Sequence, residues 1–374
     1  MEHVAAGARA IERLLASLGE EERSHIAIME RVRARYLKLG RDEEVAAQIA
    51  WMLRTLAKRV DPAKPFGPGN RREARSIAVV GNSGAGKSTT LRRHFNRHPA
   101  FAGYGDPAST CPLISVDVPS PCTLTTLGRA ILHASGYPLN RELSESIVWE
   151  RVRWRLEDRG VLVLHLDEMH NVIEAANVIE AAKIRKTLKA LTSNRQWPVA
   201  LIVSGLPELV TFMEAIAVEV EDGQVPVRDA DRETEVRRRF RFVRLQSLAL
   251  PDDVDLVSEA MGDLAGIAGL SFPVSLRQEV VPRLIHAALH EFGTCLELGL
   301  DAVEVALVGH ATVLTMKSFA DAYAGRTGSA APANPFLAPA WAEVDCSKVL
   351  RRTGGPEAVA RPAPGSKRKR GRKS

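Results

Sequence analysis

Residues 75–95 read RSIAVVGNSGAGKSTTLRRHF, a short apolar run followed by a glycine-rich turn and a helical pattern. The turn at 81–88 has the G-x-x-x-x-G-K-[ST] spacing of a phosphate-binding loop, whose glycines let backbone N–H groups and a helix N-terminus approach phosphate oxygens. We expect Lys87 to reach the β- and γ-phosphates of ATP and Ser88 to bind Mg²⁺. The predicted cofactor-binding set is Gly81, Asn82, Ser83, Gly84, Ala85, Gly86, Lys87, Ser88 and Thr89. A glycine-rich turn without nucleotide is the alternative.

Composition is that of an ordinary globular protein: of 374 residues, 45% are hydrophobic and 26% charged, enough for two domains. Apolar runs are too short to span a membrane and the N-terminus lacks a signal-peptide core, so we expect a cytoplasmic protein. The dispersed cysteines suggest reduced thiols rather than disulfides or zinc. The net charge of +6 is uneven, because residues 348–374 contribute +9 and residues 1–347 contribute −3. Any nucleic-acid surface in the folded part must therefore be local.

Strand and helix patterns alternate around the phosphate loop. This alternation predicts an α/β fold with a parallel five-stranded sheet flanked by helices, of the P-loop type. The expected strands are 76–80, 112–118, 161–166, 199–204 and 242–248, and the expected intervening helices are 87–96, 123–134, 145–158 and 175–192. Helical segments alone follow, at about 252–268, 274–292, 299–313 and 315–324, which predicts a small all-α lid.

Four regions follow from these patterns. We expect a helical lead-in packed on the nucleotide domain and ending in a proline-rich linker, the α/β nucleotide domain itself, the helical lid, and an irregular segment with a basic, disordered tail. Their predicted bounds are 1–70, 71–250, 251–325 and 326–374.

An acidic pair, Asp167-Glu168, closes the third expected strand. After a phosphate loop, such a pair suggests that Asp167 holds Mg²⁺ and that Glu168 polarises the attacking water, although two acids at a helix start are the plain alternative. We expect His170 to be a local hydrogen-bonding group or to line the site. Ser204 ends the fourth strand, where its hydroxyl would contact the γ-phosphate or the attacking water, or would simply cap a helix.

Arginines crowd the approach to the fifth strand, at Arg237, Arg238 and Arg239. One of them would stabilise transition-state charge on the ATP of a neighbouring subunit, as an arginine finger supplied in trans. Arg239 is the first choice because it adjoins Phe240, the aromatic residue that anchors the strand. A nucleic-acid patch and an exposed basic turn are the alternatives.

Together, the phosphate loop, the Asp-Glu strand, the SGLPEL turn (204–209), the RRRF element (237–240) and the helical lid resemble the AAA+ ATPases. More narrowly, the chain resembles the TniB family of transposition ATPases, which includes TnsC-like proteins and is related to the B protein of phage Mu. The stretches that carry the narrower resemblance are ERVRARYLKLGRDEEV (30–45), VDVPSPCTLTTLGRAILHASGYP (116–138) and SFADAYAGRTGSAAPANPFLAPAW (318–341). The resemblance covers about residues 20–345.

This resemblance implies an ATPase that assembles as a helical or ring-like homo-oligomer on duplex DNA, recruits a transposase, and releases DNA on hydrolysis. A target-selection protein is a further implied partner. Composite ATP sites between protomers would contain Lys87, Ser88, Asp167, Glu168, Ser204 and Arg239. The resemblance also suggests that Thr123 and Thr125 approach the DNA backbone, a helix cap being the alternative. Another AAA+ machine, such as a replication initiator or helicase loader, and a nucleotide-gated scaffold without DNA binding are the competing functions.

One departure from the AAA+ pattern concerns the lid. Many AAA+ lids offer a G-x-x-R arginine to the γ-phosphate, whereas the comparable stretch here, Gly293-Thr294-Cys295-Leu296-Glu297, has no arginine. Either Arg283 substitutes or the contact is missing, and we expect slow turnover in both cases. In the tail, Lys367 to Lys373 would bind phosphates without sequence selectivity, contact a transposase, or remain a solvated terminus.

Overall fold

In a computed structural model, residues 2–106, 108–139, 142–175, 178–217 and 239–350 are described. The strands are β1 (Ser76–Val80), β2 (Leu113–Asp117), β3 (Val163–Asp167), β4 (Ala200–Gly205) and β5 (Phe240–Arg244). The helices up to β5 are α1 (Glu2–Ser17), α2 (Glu20–Ala34), α3 (Gly40–Leu56), α4 (Lys87–Arg97), α5 (Leu124–Ala134), α6 (Glu145–Asp158), α7 (His170–Ala175), α8 (Val178–Thr192) and α9 (Leu209–Ala217). The lid helices are α10 (Val254–Ala268), α11 (Val274–Ala287), α12 (Phe292–Val308) and α13 (Met316–Thr327).

The central sheet is five-stranded and parallel, in the order β2-β3-β4-β1-β5. Strands β1, β3 and β4 are buried along their whole length, as expected for aliphatic runs covered by helices on both faces. All five carboxyl ends lie at one edge, where the phosphate loop follows β1 and where Asp167 ends β3 and Glu168 follows it. The predicted fold class, a parallel P-loop sheet flanked by helices with a helical C-terminal region, is confirmed.

Strand β5 begins and ends earlier than the predicted 242–248. Phe240 and Val243 are its buried residues, at 2% and 0% exposure, and they fix the register of β5 against β1. The backbone N–H of Leu245 donates to the carbonyl of Val80 at 2.8 Å, after which the chain leaves the sheet. The apolar residues after 245 therefore belong to the connection to the lid.

The helical lead-in is divided between two parts of the molecule, which corrects the expectation that all of it packs on the nucleotide domain. In α3, Val45, Ile49 and Met52 enter the core beneath one face of the sheet. In α2, Met29 and Val32 enter the core of the lid instead. The cause is the apolar stripe of α2, which matches the surface formed by α10 and α12.

The predicted lid helix 274–292 is shorter than expected, because α11 ends at Ala287 and α12 already begins at Phe292. Leu289 and His290 adopt left-handed backbone, with φ of 54° and 63°, and the N–H of Leu248 donates to the carbonyl of His290. This break turns the start of α12 toward the phosphate loop. The expected helix 175–192 corresponds to α8 (Val178–Thr192), and the short α7 ends at Ala175.

Beyond α13 the chain stays against the lid. Short 3₁₀ turns at Ala331–Ala333, Trp341–Glu343 and Ser347–Leu350 bury Phe336 and Val349 in the lid core. The expected disordered tail and its basic cluster lie outside the described residues. Among the described helices, none is long and apolar enough to cross a membrane.

Candidate nucleotide-binding site

The phosphate loop is a tight cradle between β1 and α4. Gly84 and Gly86 have left-handed backbone, with φ of 81° and 89°, where a side chain would be strained. A Cβ placed on Gly81 would lie 3.1 Å from both the Cβ and the carbonyl oxygen of Leu245. Because α4 starts at Lys87 directly after the loop, its free N-terminal amides suit phosphate oxygens.

Lys87 lies inside this cradle at 6% exposure. Its ammonium donates to the carbonyls of Gly81 at 2.8 Å and Asn82 at 2.9 Å. Burial lowers the pKa of Lys87, and the nearby carboxylates of Glu168 and Asp167 oppose that change. The cation is thus held at the loop, in reach of phosphates bound there.

Asp167 ends β3 and is 6% exposed. Burial alone would raise the pKa of Asp167. Hydrogen bonds from Ser204, from Ser88 and from the backbone N–H of Glu168 outweigh burial and hold this pKa below its usual value, so the carboxylate is ionised. A carboxylate beside a hydroxyl is a fitting partial ligand set for Mg²⁺, which keeps waters and takes phosphate oxygens as its other ligands. The described residues contain no cluster of three or more His, Cys, Asp or Glu side chains that would hold a metal alone.

Glu168 stands at the mouth of the same cleft, which has a volume of about 1400 Å³ and is also lined by Lys87, Ser88 and Thr89. Its φ of 57° is in the left-handed region, and its side chain is 47% exposed. The Oε2 atom lies 3.1 Å from Nδ1 of His170. A half-exposed carboxylate with one imidazole partner beside the loop is placed to orient a water.

Ser204 is completely buried and belongs to a hydrogen-bond chain that crosses three strands. Its Oγ donates to Oδ1 of Asp167 at 2.5 Å and lies 3.2 Å from Nε2 of His165. The other ring nitrogen, Nδ1, lies 2.6 Å from Oγ of Ser115. Since the Ser204 proton goes to Asp167, we assign the hydrogen of His165 to Nε2, and Nδ1 then accepts from Ser115.

Sequence reasoning missed His165, whose only signal was a polar residue within the run VLVLHLD. Burial lowers the pKa of His165 to about 4, so the ring is neutral near pH 7. The hydrogen-bond chain Ser115–His165–Ser204–Asp167 therefore holds the Asp167 carboxylate in place from within the sheet.

The lid touches the loop through the start of α12. The N–H of Thr294 donates to the carbonyl of Gly84 at 3.2 Å, and a Cβ on Gly293 would lie 2.4 Å from that carbonyl oxygen. Nδ2 of Asn82 donates to Oε1 of Glu291 at 2.8 Å. The stretch 293–297 thus lies against the phosphate loop, and Glu291, just before it, brings a carboxylate rather than an arginine to this position.

Arg283 does not substitute for the missing lid arginine, contrary to one of the two expectations. Its Nη1 donates to the carbonyls of Pro335 at 2.8 Å and Ala338 at 3.0 Å, so Arg283 anchors the C-terminal segment to the lid. The arginine at the loop comes from α3: Nη2 of Arg41 lies 3.1 Å from where a Cβ on Gly86 would be, and its guanidinium stacks over Phe292 at 5.3 Å. Sequence reasoning missed Arg41 because it precedes the phosphate loop by forty residues.

Arg239 lies just before β5, at the amino edge of the sheet and away from its own phosphate loop. Its side chain is 20% exposed, and Nη1 pairs with Oε1 of Glu73 at 2.6 Å. Its position is incompatible with action on the ATP of the same chain, so a finger role requires a second subunit. Arg237 and Arg238 lie outside the described residues.

Thr123 is exposed and caps α5, its Oγ1 accepting from the N–H of Thr126 at 3.1 Å. Thr125 lies in the first turn of the same helix and is partly exposed. The cap accounts for Thr123 locally, and DNA contact by either threonine stays a prediction.

Comparisons with known proteins agree with this geometry. Residues 70–213 match the family model of an AAA domain. Among solved structures, the chain is similar to Cdc6p from Pyrobaculum aerophilum, with a TM-score of 0.53, 14% identity and coverage of 78% of this chain and 69% of that chain. It is also similar to the ORC1 protein of Aeropyrum pernix, solved in complex with DNA, with a TM-score of 0.51, 16% identity and coverage of 77% and 64%. No curated protein sequence matches significantly.

At these sequence identities, the solved structures are evidence for the fold alone. The family match is independent of them and covers the phosphate loop and the acidic pair. The family match, the parallel sheet and the phosphate-loop geometry together support the assignment of residues 70–213 as an AAA domain of the AAA+ ATPase superfamily.

Proposed function

We propose that this protein is an ATP-dependent regulator of DNA transposition that oligomerises on duplex DNA, recruits a transposase and disassembles on ATP hydrolysis. The observation that carries the ATPase part is that Lys87, Ser88 and Glu168 line one cleft at the carboxyl edge of the sheet, with Asp167 hydrogen-bonded to Ser88. A buried cation, an ionised carboxylate and a second, half-exposed carboxylate beside a phosphate cradle are typical of a catalytic site.

Each residue has a definite task in hydrolysis. The loop amides and Lys87 bind the β- and γ-phosphates, while Ser88 and Asp167 hold Mg²⁺, which supplies charge neutralisation when bound. Glu168 orients and polarises the attacking water, and His170 positions the Glu168 carboxylate through their contact at 3.1 Å. Because the lid offers Glu291 where an arginine would help, turnover by an isolated subunit is slow.

The position of Arg239 supports an oligomeric site. A guanidinium that is remote from its own loop and 20% exposed would complete the cleft of the next subunit, supplying positive charge to the transition state. ATP bound between subunits would then favour assembly, and hydrolysis would weaken it.

We propose duplex DNA and a transposase as partners because residues 20–345 resemble TniB proteins. The basic residues of 348–374 add a sequence-independent attraction to phosphates, and aromatic residues make up only 5% of the chain, which disfavours stacking on single strands. The likeness to Cdc6p and to DNA-bound ORC1 favours a second candidate, an AAA+ protein acting in replication initiation.

The test is duplex binding by the purified protein with ATP, with ADP and without nucleotide, followed by electron microscopy. We expect ATP-dependent filaments or rings on duplexes of arbitrary sequence, lost in Lys87→Ala and kept in Lys317→Ala, an exposed lysine of the lid. Binding restricted to one sequence would favour the replication candidate. Absence of DNA binding in every nucleotide state, with ATP still bound, would refute both.

A further inference from the structure

A second cavity, of about 430 Å³, lies at the amino edge of the sheet, away from the nucleotide cleft. Its walls are apolar, and the residues that line it are Leu53, Leu56, Ala57, Phe66, Gly67, Leu162, Trp197 and Arg71. This size is within the range of ligand pockets. The rim reaches the surface, since Phe66 is 60% exposed.

Among the described residues that line this cavity, Arg71 alone is charged. It is 8% exposed, and its guanidinium stacks on the Trp197 ring at 4.8 Å. Within the described residues, neither Nη1 nor Nη2 has a hydrogen-bond partner. Burying a charge whose donors are unpaired opposes folding, and an apolar side chain of similar size would serve the fold better. The guanidinium therefore requires an explanation other than packing.

The cavity is pre-formed. Trp197 is fixed by a hydrogen bond from Nε1 to the carbonyl of Val161 at 2.7 Å. The proline-rich loop that carries Phe66 is held by Asn70, whose side-chain amide donates to the carbonyls of Asp61, Lys64 and Pro65. A ligand would thus meet fixed walls and lose little affinity to ordering them.

The chemistry selects the ligand. The two Nη donors of Arg71 are unpaired and buried, so a ligand would reach them when the guanidinium turns into the cavity. Turned in this way, they match the two oxygens of a carboxylate, whereas a DNA phosphate, with its hydrated sugar backbone, gains nothing from leucine and tryptophan walls. Outside the cavity, Lys58 and Arg72 are exposed and follow the lining residues Ala57 and Arg71 in the chain, so positive charge continues beyond the cavity, where a peptide segment would extend.

We propose that this cavity is a docking site for a peptide segment of a partner protein that presents a carboxylate beside apolar side chains, with Arg71 as the carboxylate receptor. The segment would lay an apolar side chain against Trp197 and Leu56 and direct its carboxylate at the guanidinium. This inference does not depend on DNA binding or transposition.

The experiment uses the full chain and two fluorescent, end-capped heptapeptides of leucine, phenylalanine and serine, one with a central glutamate and one with glutamine. We expect the glutamate peptide to bind about tenfold more tightly. Arg71→Met should abolish this difference and leave the melting temperature equal or higher, because an unpaired buried charge is removed. Arg72→Met removes the same charge at the rim of the cavity and should keep most of the affinity difference between the two peptides.

Equal binding of both peptides by the unaltered chain, or none up to about 1 mM, would overturn the proposal without any variant, so an unstable Arg71→Met would not leave it undecided. Octanoate serves as a third probe: binding of octanoate without the glutamate peptide would identify a small-molecule site instead. Loss of duplex affinity in Arg71→Met, with peptide discrimination intact, would assign Arg71 to DNA and also overturn the proposal.

Discussion

Replacing Ser204 by alanine tests the hydrogen-bond chain behind the acidic pair. The Oγ atom of Ser204 serves two buried partners, Oδ1 of Asp167 at 2.5 Å and Nε2 of His165 at 3.2 Å. In Ser204→Ala, His165 has an unpaired N–H in the sheet, while Asp167 keeps its bonds from Ser88 and from the backbone N–H of Glu168.

The magnitude follows from counting these groups. An unpaired buried donor or acceptor costs about 1–3 kcal/mol, and Asp167 would lose only one of its hydrogen bonds. Ser204→Ala should therefore lower the free energy of unfolding by about 2–4 kcal/mol. Ser115→Ala is the matched control, since it removes a hydroxyl from the other end of the chain and deprives only Nδ1 of His165, at about 1–2 kcal/mol.

The assays are urea unfolding followed by circular dichroism and the steady-state ATPase rate. Ser204→Ala should reduce ATPase by more than tenfold because Asp167 loses its nearest fixed donor, whereas Ser115→Ala should keep most of the activity. Equal effects of the two substitutions on stability and on rate would refute the central place of Ser204. Nitrogen-15 NMR showing the His165 hydrogen on Nδ1 would refute the assigned direction of the chain.

Two further predictions concern charge in the cleft. Glu291→Gln removes a negative charge beside the phosphate loop but keeps an acceptor for Asn82. The ATP affinity measured by calorimetry should rise about thirtyfold, since unit charges about 8 Å apart interact by ~2 kcal/mol at an effective dielectric near 20. Glu259→Gln, at an exposed position of the lid, is the control, and an unchanged or weaker ATP affinity of Glu291→Gln would contradict the electrostatic account. Arg239→Ala should reduce the ATPase rate of the oligomer by roughly 10³-fold. Mixing this variant with Lys87→Ala should restore part of the activity, because one subunit supplies an intact phosphate loop and its neighbour supplies an intact Arg239. If the mixture recovers no activity, Arg239 does not act on the ATP of a neighbouring subunit.

The parts of the fold that sequence predicted well are those decided locally. Strands β1, β3 and β4 are aliphatic runs bounded by turns, and the spacing of the phosphate loop fixes the start of α4 at Lys87. The break between α11 and α12 was missed because it contains neither glycine nor proline. Tertiary contact holds His290 in left-handed backbone there, through the N–H of Leu248.

The candidate site divides in the same way. Lys87 and Asp167 lie on contiguous motifs, which sequence can recognise. His165 and Ser115 meet only because β2 and β3 pair in a register that aligns them, and Glu291 and Arg41 reach the loop from the lid and from α3. Such meetings depend on how separate elements pack, and no local pattern encodes them.

The division of the lead-in between lid and sheet has a mechanical consequence. Residues 35–39 join α2, which is fixed to the lid, to α3, which is fixed beneath the sheet. Within this joint, Tyr36 donates to Asp42 and stacks under Arg93 at 3.9 Å, so it is anchored to the base of α4. If the lid rotates relative to the phosphate loop, α2 would rotate with it, and Tyr36 would be the pivot of that rotation. Because α2 spans 15 residues, or about 22 Å, a rotation of a few degrees would displace its far end, at Glu20, by about an ångström or more. A neighbouring subunit in contact with that end would be displaced as well.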